Sequence, residues 1–246
     1  MTQLTSAILL LLMGPAIGSF LGVVIDRFGR EGAVNSIVTA RSRCRSCNTP
    51  LGAMELIPLV SYLIQLGRCR HCRAAIPAQL FYLEILGLGG AALALAAYPF
   101  DPALAWGWAL WLWVLIGLAG CDLRWLRLPD GLTAILAITS LILAPNLSFA
   151  LWGAALGAGS FLALRLIYAR LRGREGLGLG DVKLMFGLGA FTGPLDLPLL
   201  ALIAALLALG LATVTHRRGA NLSTQAVPFG AALCVAAALL WLWRFF

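Results

Sequence analysis

Long apolar runs alternate along the chain with short polar segments, and the runs carry no strand-like alternation. Stretches such as "GGAALALAA" and "LPLLALIAALLALGLATV" are apolar on every face. Continuous runs of roughly 17–25 apolar residues predict membrane-spanning helices. A membrane barrel would instead alternate apolar and polar positions over strands of roughly ten residues. Eight spans follow, over about 4–25, 79–98, 103–121, 131–146, 149–168, 181–193, 196–215 and 226–244. The sixth is short and contains glycine. The predicted fold class is an all-α polytopic membrane protein with a small loop domain between helices 1 and 2. Its parts are a first transmembrane helix at 1–25, a loop domain at 26–78 that carries four of the six cysteines and a transmembrane domain at 79–246.

Composition agrees with that pattern. The 246 residues are 61% hydrophobic and only 11% charged, and the mean hydropathy is +0.93. The apolar N-terminus lacks a basic start and an A-x-A-like cleavage site, so it reads as a span and not a signal peptide. The formal charge of +8 comes almost wholly from arginine, Lys183 being the lone lysine. These basic residues sit beside apolar spans and not along a polar face. That speaks against nucleic acid as a partner and for topology signals and contacts to membrane lipids. Residues 26–78 hold eight arginines, and the loops after spans three, five and seven are basic as well. The opposite loops, "YPFDPA", "APNLS" and "TGPLDLP", hold no Lys or Arg. The positive-inside rule places the basic loops in the cytoplasm and both termini outside. Arg244 is the one exception, read as a side chain that snorkels. No internal repeat is evident.

Two of the ten acids mark candidate chemistry. Asp122 ends span three in "GLAGCDLRWLRLPDGL", and Asp181 opens span six in "EGLGLGDVKLM". The topology puts both at the cytoplasmic ends of spans, where an ionisable group is costly and points to function. Two carboxylates held close cannot both ionise easily. Such a pair can take a proton from water while polarising a carbonyl, which is peptide-bond hydrolysis. Gly176, Gly178 and Gly180 suit a bent backbone and a close substrate approach. The structural alternatives are plain: Asp181 and Asp130 can each cap a helix N-terminus. Lys183 reads as a headgroup contact or a substrate-charge contact. Asp122 ends a helix, where the dipole disfavours an anion; neutralisation by Arg124 and Arg127 is its structural alternative.

"CRSC" at 44–47 and "CRHC" at 69–72 have the two-by-two spacing of a tetrahedral zinc site. Four ligands, Cys44, Cys47, Cys69 and Cys72, close the site and make it structural. A loop of this size buries little core and needs a staple. Disulfides or a redox pair are the competing readings. Flanking arginines offset the thiolate charge, and His71 reads as a bystander. Cys121 and Cys234 read as ordinary buried small residues.

These segments, with "GSFLGVVIDR" at 18–27 and "VPFGAAL" at 227–233, resemble the bacterial type IV prepilin peptidases, in the same order and over nearly the whole chain. The resemblance implies a GxGD-type aspartic protease of the bacterial inner membrane. It would remove the short basic leader of prepilins and pseudopilins at the cytoplasmic face, with Asp122 and Asp181 as the catalytic pair. The GxGD tetrad falls on Gly178, Leu179, Gly180 and Asp181. Members with the cysteine loop commonly also N-methylate the new N-terminal residue from S-adenosylmethionine. One departure stands out: an Arg-Tyr-Pro-like stretch is replaced by "AQLFYLE", although Glu84 is retained. No nucleotide-binding fingerprint places the methyl donor. Two other classes compete. An ion-coupled transporter predicts inverted repeats and acids near the midplane. A non-catalytic zinc-loop scaffold gives no reason for two acids at matching depth.

Overall fold

The structure, a computed structural model, describes residues 2–29, 41–173, 176–217 and 227–246. Glu31, Arg174, Glu175 and Arg218 lie outside the described residues, as do the side chains of His216 and Arg217. The fold is helical: α1 Thr2–Phe28, the short α2 Val60–Ile64, α3 Ala78–Ala97, α4 Pro102–Trp125, α5 Asp130–Ile142, α6 Leu147–Arg172, α7 Leu179–Arg217 and α8 Phe229–Phe245. Five are long and apolar enough to cross a membrane, namely α1, α3, α4, α6 and α7, whereas α5 and α8 are apolar but shorter. Among the described residues the only β-type pairing is two isolated bridges in the cysteine segment.

The predicted spans at 181–193 and 196–215 correspond to two helices joined through a kink at Gly193, labelled together here as α7. Gly193 adopts φ 72° and ψ 177°, a backbone that side chains disfavour. Pro194 follows and cannot donate the next helical hydrogen bond. The carbonyls stranded by the break find a partner at the far end of the chain. Arg244 donates to the carbonyls of Phe191 at 3.0 Å and Thr192 at 2.9 Å. It also pairs with Asp196 at 2.5 Å and lies over the Phe191 ring at 4.8 Å. Arg244 was expected to snorkel; the structure uses it to cap the break. Replacing Arg244 with Met strips two carbonyls and a carboxylate of their donor. The expected cost is about 1–3 kcal/mol, seen as a lowered unfolding midpoint in detergent; an unchanged midpoint contradicts the capping role.

The described residues form two compact units, Met1–Ala109 and Leu110–Phe246. In the first, α1 and α3 touch backbone to backbone. A Cβ on Gly87 would stand 2.2 Å from the carbonyl oxygen of Gly14, so only glycine permits this approach. In the second, α6 and α7 meet the same way at Gly153 and Gly189. Trp111 on α4 is fully buried, and its Nε1 donates to Ser140 Oγ on α5 at 2.8 Å. These close seams place the end of α4 and the start of α7 in one bundle.

Candidate functional site

Asp122 lies in the last turn of α4 and is 5% exposed. A carboxylate so placed needs donors, and α8 supplies them. The Ala231 amide donates to Asp122 Oδ2 at 2.7 Å, and the Gly230 amide also hydrogen-bonds the carboxylate. Both amides belong to the first turn of α8, where backbone N–H groups have no helical partner and the dipole favours an anion. The expectation that Asp122 faces only an unfavourable dipole is therefore incomplete: a second helix points its N-terminus at it.

Asp181 lies in the first turn of α7 and is half-buried. It hydrogen-bonds the Gly178 amide, the reach-back of an acid at the third helical position to the cap. Helix capping and closeness to Asp122 coexist in this residue. The two acids converge on Gly230. A Cβ there would stand 3.1 Å from Asp122 Oδ2 and 3.2 Å from Asp181 Oδ1. Those two oxygens are thus no farther apart than the sum of these distances, close enough for one water to touch both.

The glycines act by closeness. Among the described residues, positive φ at glycine occurs at Gly67, Gly173 and Gly193, and not in the 176–180 run. A Cβ on Gly176 would meet the Tyr168 ring at 2.5 Å, and one on Gly180 would meet Leu128 at 3.3 Å. A Cβ on Gly178 would lie 3.5 Å from Asp181 Oδ2. Tight seating of the turn against α6 and the α4–α5 connection aims Asp181.

Asp130 and Lys183 pair with each other. Asp130 opens α5 behind Pro129, whose position makes no side-chain cap bond. Lys183 Nζ donates to Asp130 Oδ1 at 2.7 Å, with the two side chains 52% and 75% exposed. An ion pair so open to solvent is worth about 0–1 kcal/mol. It ties the start of α5 to the start of α7. Lys183 is two residues from Asp181 and projects from another part of the helix surface.

The four cysteines at 44, 47, 69 and 72 come together, with their Sγ atoms all within 4.8 Å of one another. Cys44 Sγ and Cys72 Sγ are 3.8 Å apart, and none of the six cysteines forms a disulfide. A tetrahedral ion with metal–sulfur bonds of about 2.3 Å has sulfurs about 3.8 Å apart. The set therefore fits a bound metal ion. The two halves are copies of one turn. The Asn48 amide donates to the Cys44 carbonyl and the Arg73 amide to the Cys69 carbonyl, both at 3.0 Å. Asn48 and Arg73 have φ near 60° in each copy, and bridges Arg43–Pro50 and Arg68–Ala75 close them. "RCRSCNTPL" and "RCRHCRAAI" are thus a local repeat that the apolar pattern of the chain hides. Hydrogen bonds from Thr49 draw the Cys47 thiol down to about 6. The amides of Cys72 and His71 lower that of Cys69. Cys72 goes up to about 11, because burial and the other three sulfurs outweigh its Ala74 amide. Arg45 forms an ion pair with Asp26 of α1, joining the first turn to the preceding helix.

Gly230 and Ala231 are what sequence reasoning passed over. "VPFGAAL" carried the resemblance without a role. Its usable signal was Pro228 opening an apolar helix with no acidic cap, which leaves bare amides to offer.

Residues 12–98 match the family model described as the bacterial peptidase A24 N-terminal domain, and residues 109–213 match that of the type IV leader peptidase family. A prepilin leader peptidase/N-methyltransferase of Aeromonas hydrophila is 33% identical, over 95% of this chain and 90% of that one. One from Stutzerimonas stutzeri is 33% identical, over 94% and 89%. A type 4 prepilin-like proteins leader peptide-processing enzyme of Escherichia coli O78:H11 is 35% identical, over 89% and 87%. No solved structure matches the chain.

Proposed function

Because the chain belongs to the type IV leader peptidase family, we propose that it cleaves the basic leader from prepilins and pseudopilins and N-methylates the new N-terminus. Asp122 and Asp181 are the hydrolytic pair. A water held between them attacks the scissile carbonyl carbon. One carboxyl takes the water's proton, and the other gives a proton to the carbonyl oxygen. As the C–N bond breaks, the proton taken from water passes to the leaving amine, and the collapsing gem-diol returns its proton to the other carboxyl, which restores the pair. The observation that carries this reading is the convergence of Asp122 Oδ2 and Asp181 Oδ1 on Gly230.

The basic loops support a position of this chemistry at the cytoplasmic face of the inner membrane. A prepilin keeps its basic leader on that side, so its cleavage point lies near the same boundary. The reading divides the chain functionally at 25/26 and 78/79, with membrane lipids as the surroundings and no nucleic-acid partner. Zinc on Cys44, Cys47, Cys69 and Cys72 serves as a staple of the loop domain. Cys44→Ser is expected to lose zinc and to expose the loop to proteolysis. A full zinc content by elemental analysis in that variant removes the four-cysteine ligation. The methyl donor is S-adenosylmethionine; the described residues single out no pocket for it, and no step is assigned to them.

The test is the purified protein mixed with a prepilin, its product weighed by mass spectrometry with and without S-adenosylmethionine. Leader loss in both arms, with one added methyl group only when the donor is present, supports the whole reading. Leader loss without methyl gain keeps the peptidase alone, and an intact prepilin in both arms refutes the function.

A further inference from the structure

The segment between the two cysteine turns is unlike the surface of a water-soluble domain. From Leu56 to Gly67 the chain has no charged residue. Its apolar side chains point outward: Leu63 is 59% exposed, Ile64 77% and Leu66 84%. Water-soluble surfaces rarely gather such side chains in one patch.

Helix α3 gives the depth of this patch. It has 20 residues, a length of about 30 Å, which is the full thickness of a bilayer's hydrocarbon core. Glu84 lies about 9 Å along it and Phe81 about 5 Å along it. Both hold the segment. The Leu59 amide donates to Glu84 Oε2 at 2.7 Å, and the Tyr62 ring stacks on Phe81 with centroids 4.6 Å apart. Leu59 has φ 62° and ψ −52°, a costly conformation for a branched side chain. The buried Glu84 carboxylate, 8% exposed, holds it there. α2 therefore lies beside turns of α3 that α3 needs in order to cross the membrane. The outward side chains of α3 at that level, Tyr82, Ile85 and Leu86, continue the same apolar surface.

The backbone suits immersion too. Irregular backbone in lipid must satisfy its own polar groups. The amides of Ser61, Leu63, Gln65, Leu66 and Gly67 each donate to a backbone carbonyl. Leu59 donates to Glu84, and Pro58 has no amide hydrogen. Arginines at 41, 43, 45, 68, 70 and 73 flank the patch, as an anionic lipid surface favours.

We propose that residues 56–67 are a membrane-inserted wedge, seated in the headgroup–acyl boundary of an anionic leaflet and not in water. The loop domain then meets the bilayer through its own apolar face, beyond its two tethering helices. This holds whether or not the chain is a peptidase.

The experiment uses the full chain in nanodiscs containing phosphatidylglycerol. A photoreactive benzophenone side chain is placed at Ile64 or Leu66, and at lipid-facing Leu86 as reference. Lipid adducts at 64 and 66, with yields within about twofold of those at 86, are the expected result. Adducts to a second copy, to an added prepilin, or to nothing overturn the proposal. Hydroxyl-radical footprinting of the unaltered protein in the same nanodiscs serves as the second measurement, needing no substitution. Leu63, Ile64 and Leu66 are expected to be protected like Leu86, while exposed His71 is oxidised. Oxidation of the three leucine and isoleucine side chains on the scale of His71, corrected for intrinsic reactivity, overturns it as well.

Discussion

Asp122→Asn and Asp181→Asn are each expected to lower prepilin cleavage by about 10³-fold or more, with the protein still folded and inserted. Each substitution keeps the shape and removes one partner in the proton transfers. General acid–base groups contribute about 10²–10⁴-fold singly, and paired groups are strongly non-additive. The double variant is therefore expected to be no worse than either single one by more than a few-fold. The structure adds a distinction between the two. Asn at 122 keeps an oxygen for the Ala231 amide, which now donates to Asp122 Oδ2 at 2.7 Å. Asn at 181 likewise keeps an oxygen for the Gly178 amide. Both variants should thus unfold within a few degrees of the parent. Leader removal is read on a gel and folding by the thermal midpoint in detergent. Normal processing by either variant refutes the paired-acid reading, and loss of folding together with loss of cleavage makes the acids structural.

Gly230→Ala is the second large effect, an expected drop in kcat of about 100-fold. The new methyl carbon would stand 3.1 Å from Asp122 Oδ2 and 3.2 Å from Asp181 Oδ1. That is tighter than most such contacts, so the carboxylates must give by a few tenths of an ångström, and the methyl crowds the space a water bridging both oxygens would use. The carboxylates must separate or the water must leave. A misplacement of about 1 Å at a reacting centre costs about 10²-fold. Stability moves little in comparison, because Ala is the better helix former by about 1 kcal/mol. KM for the prepilin should change less than threefold, since the long apolar segment of the substrate binds elsewhere. Gly131→Ala and Gly89→Ala are the controls: a Cβ at either meets nothing within 4 Å, and both should retain full cleavage. Cleavage by Gly230→Ala within threefold of the parent would remove Gly230 from the site.

Much of this protein was legible in the residues alone. Runs apolar on every face can only be helices in lipid, so helix positions followed from the pattern within a few residues. Cysteine spacing carried the cluster of four sulfurs, because two short turns bring them together with little help from the rest of the fold. Asp122 and Asp181 stood out because acids at span ends are costly. The break at Gly193 was legible as a gap between two short spans.

What tertiary structure alone decided were the contacts made across long stretches of chain. Asp122 and Asp181 are brought together by packing against Gly230, and that closeness depends on seams such as Gly153 against Gly189. Ala231 offers its amide to a carboxylate 109 residues earlier, which no local pattern encodes. Arg244 caps Phe191 and Thr192 for the same reason. Backbone amides look alike in any sequence, and only where helices end in space determines which of them meets a charge.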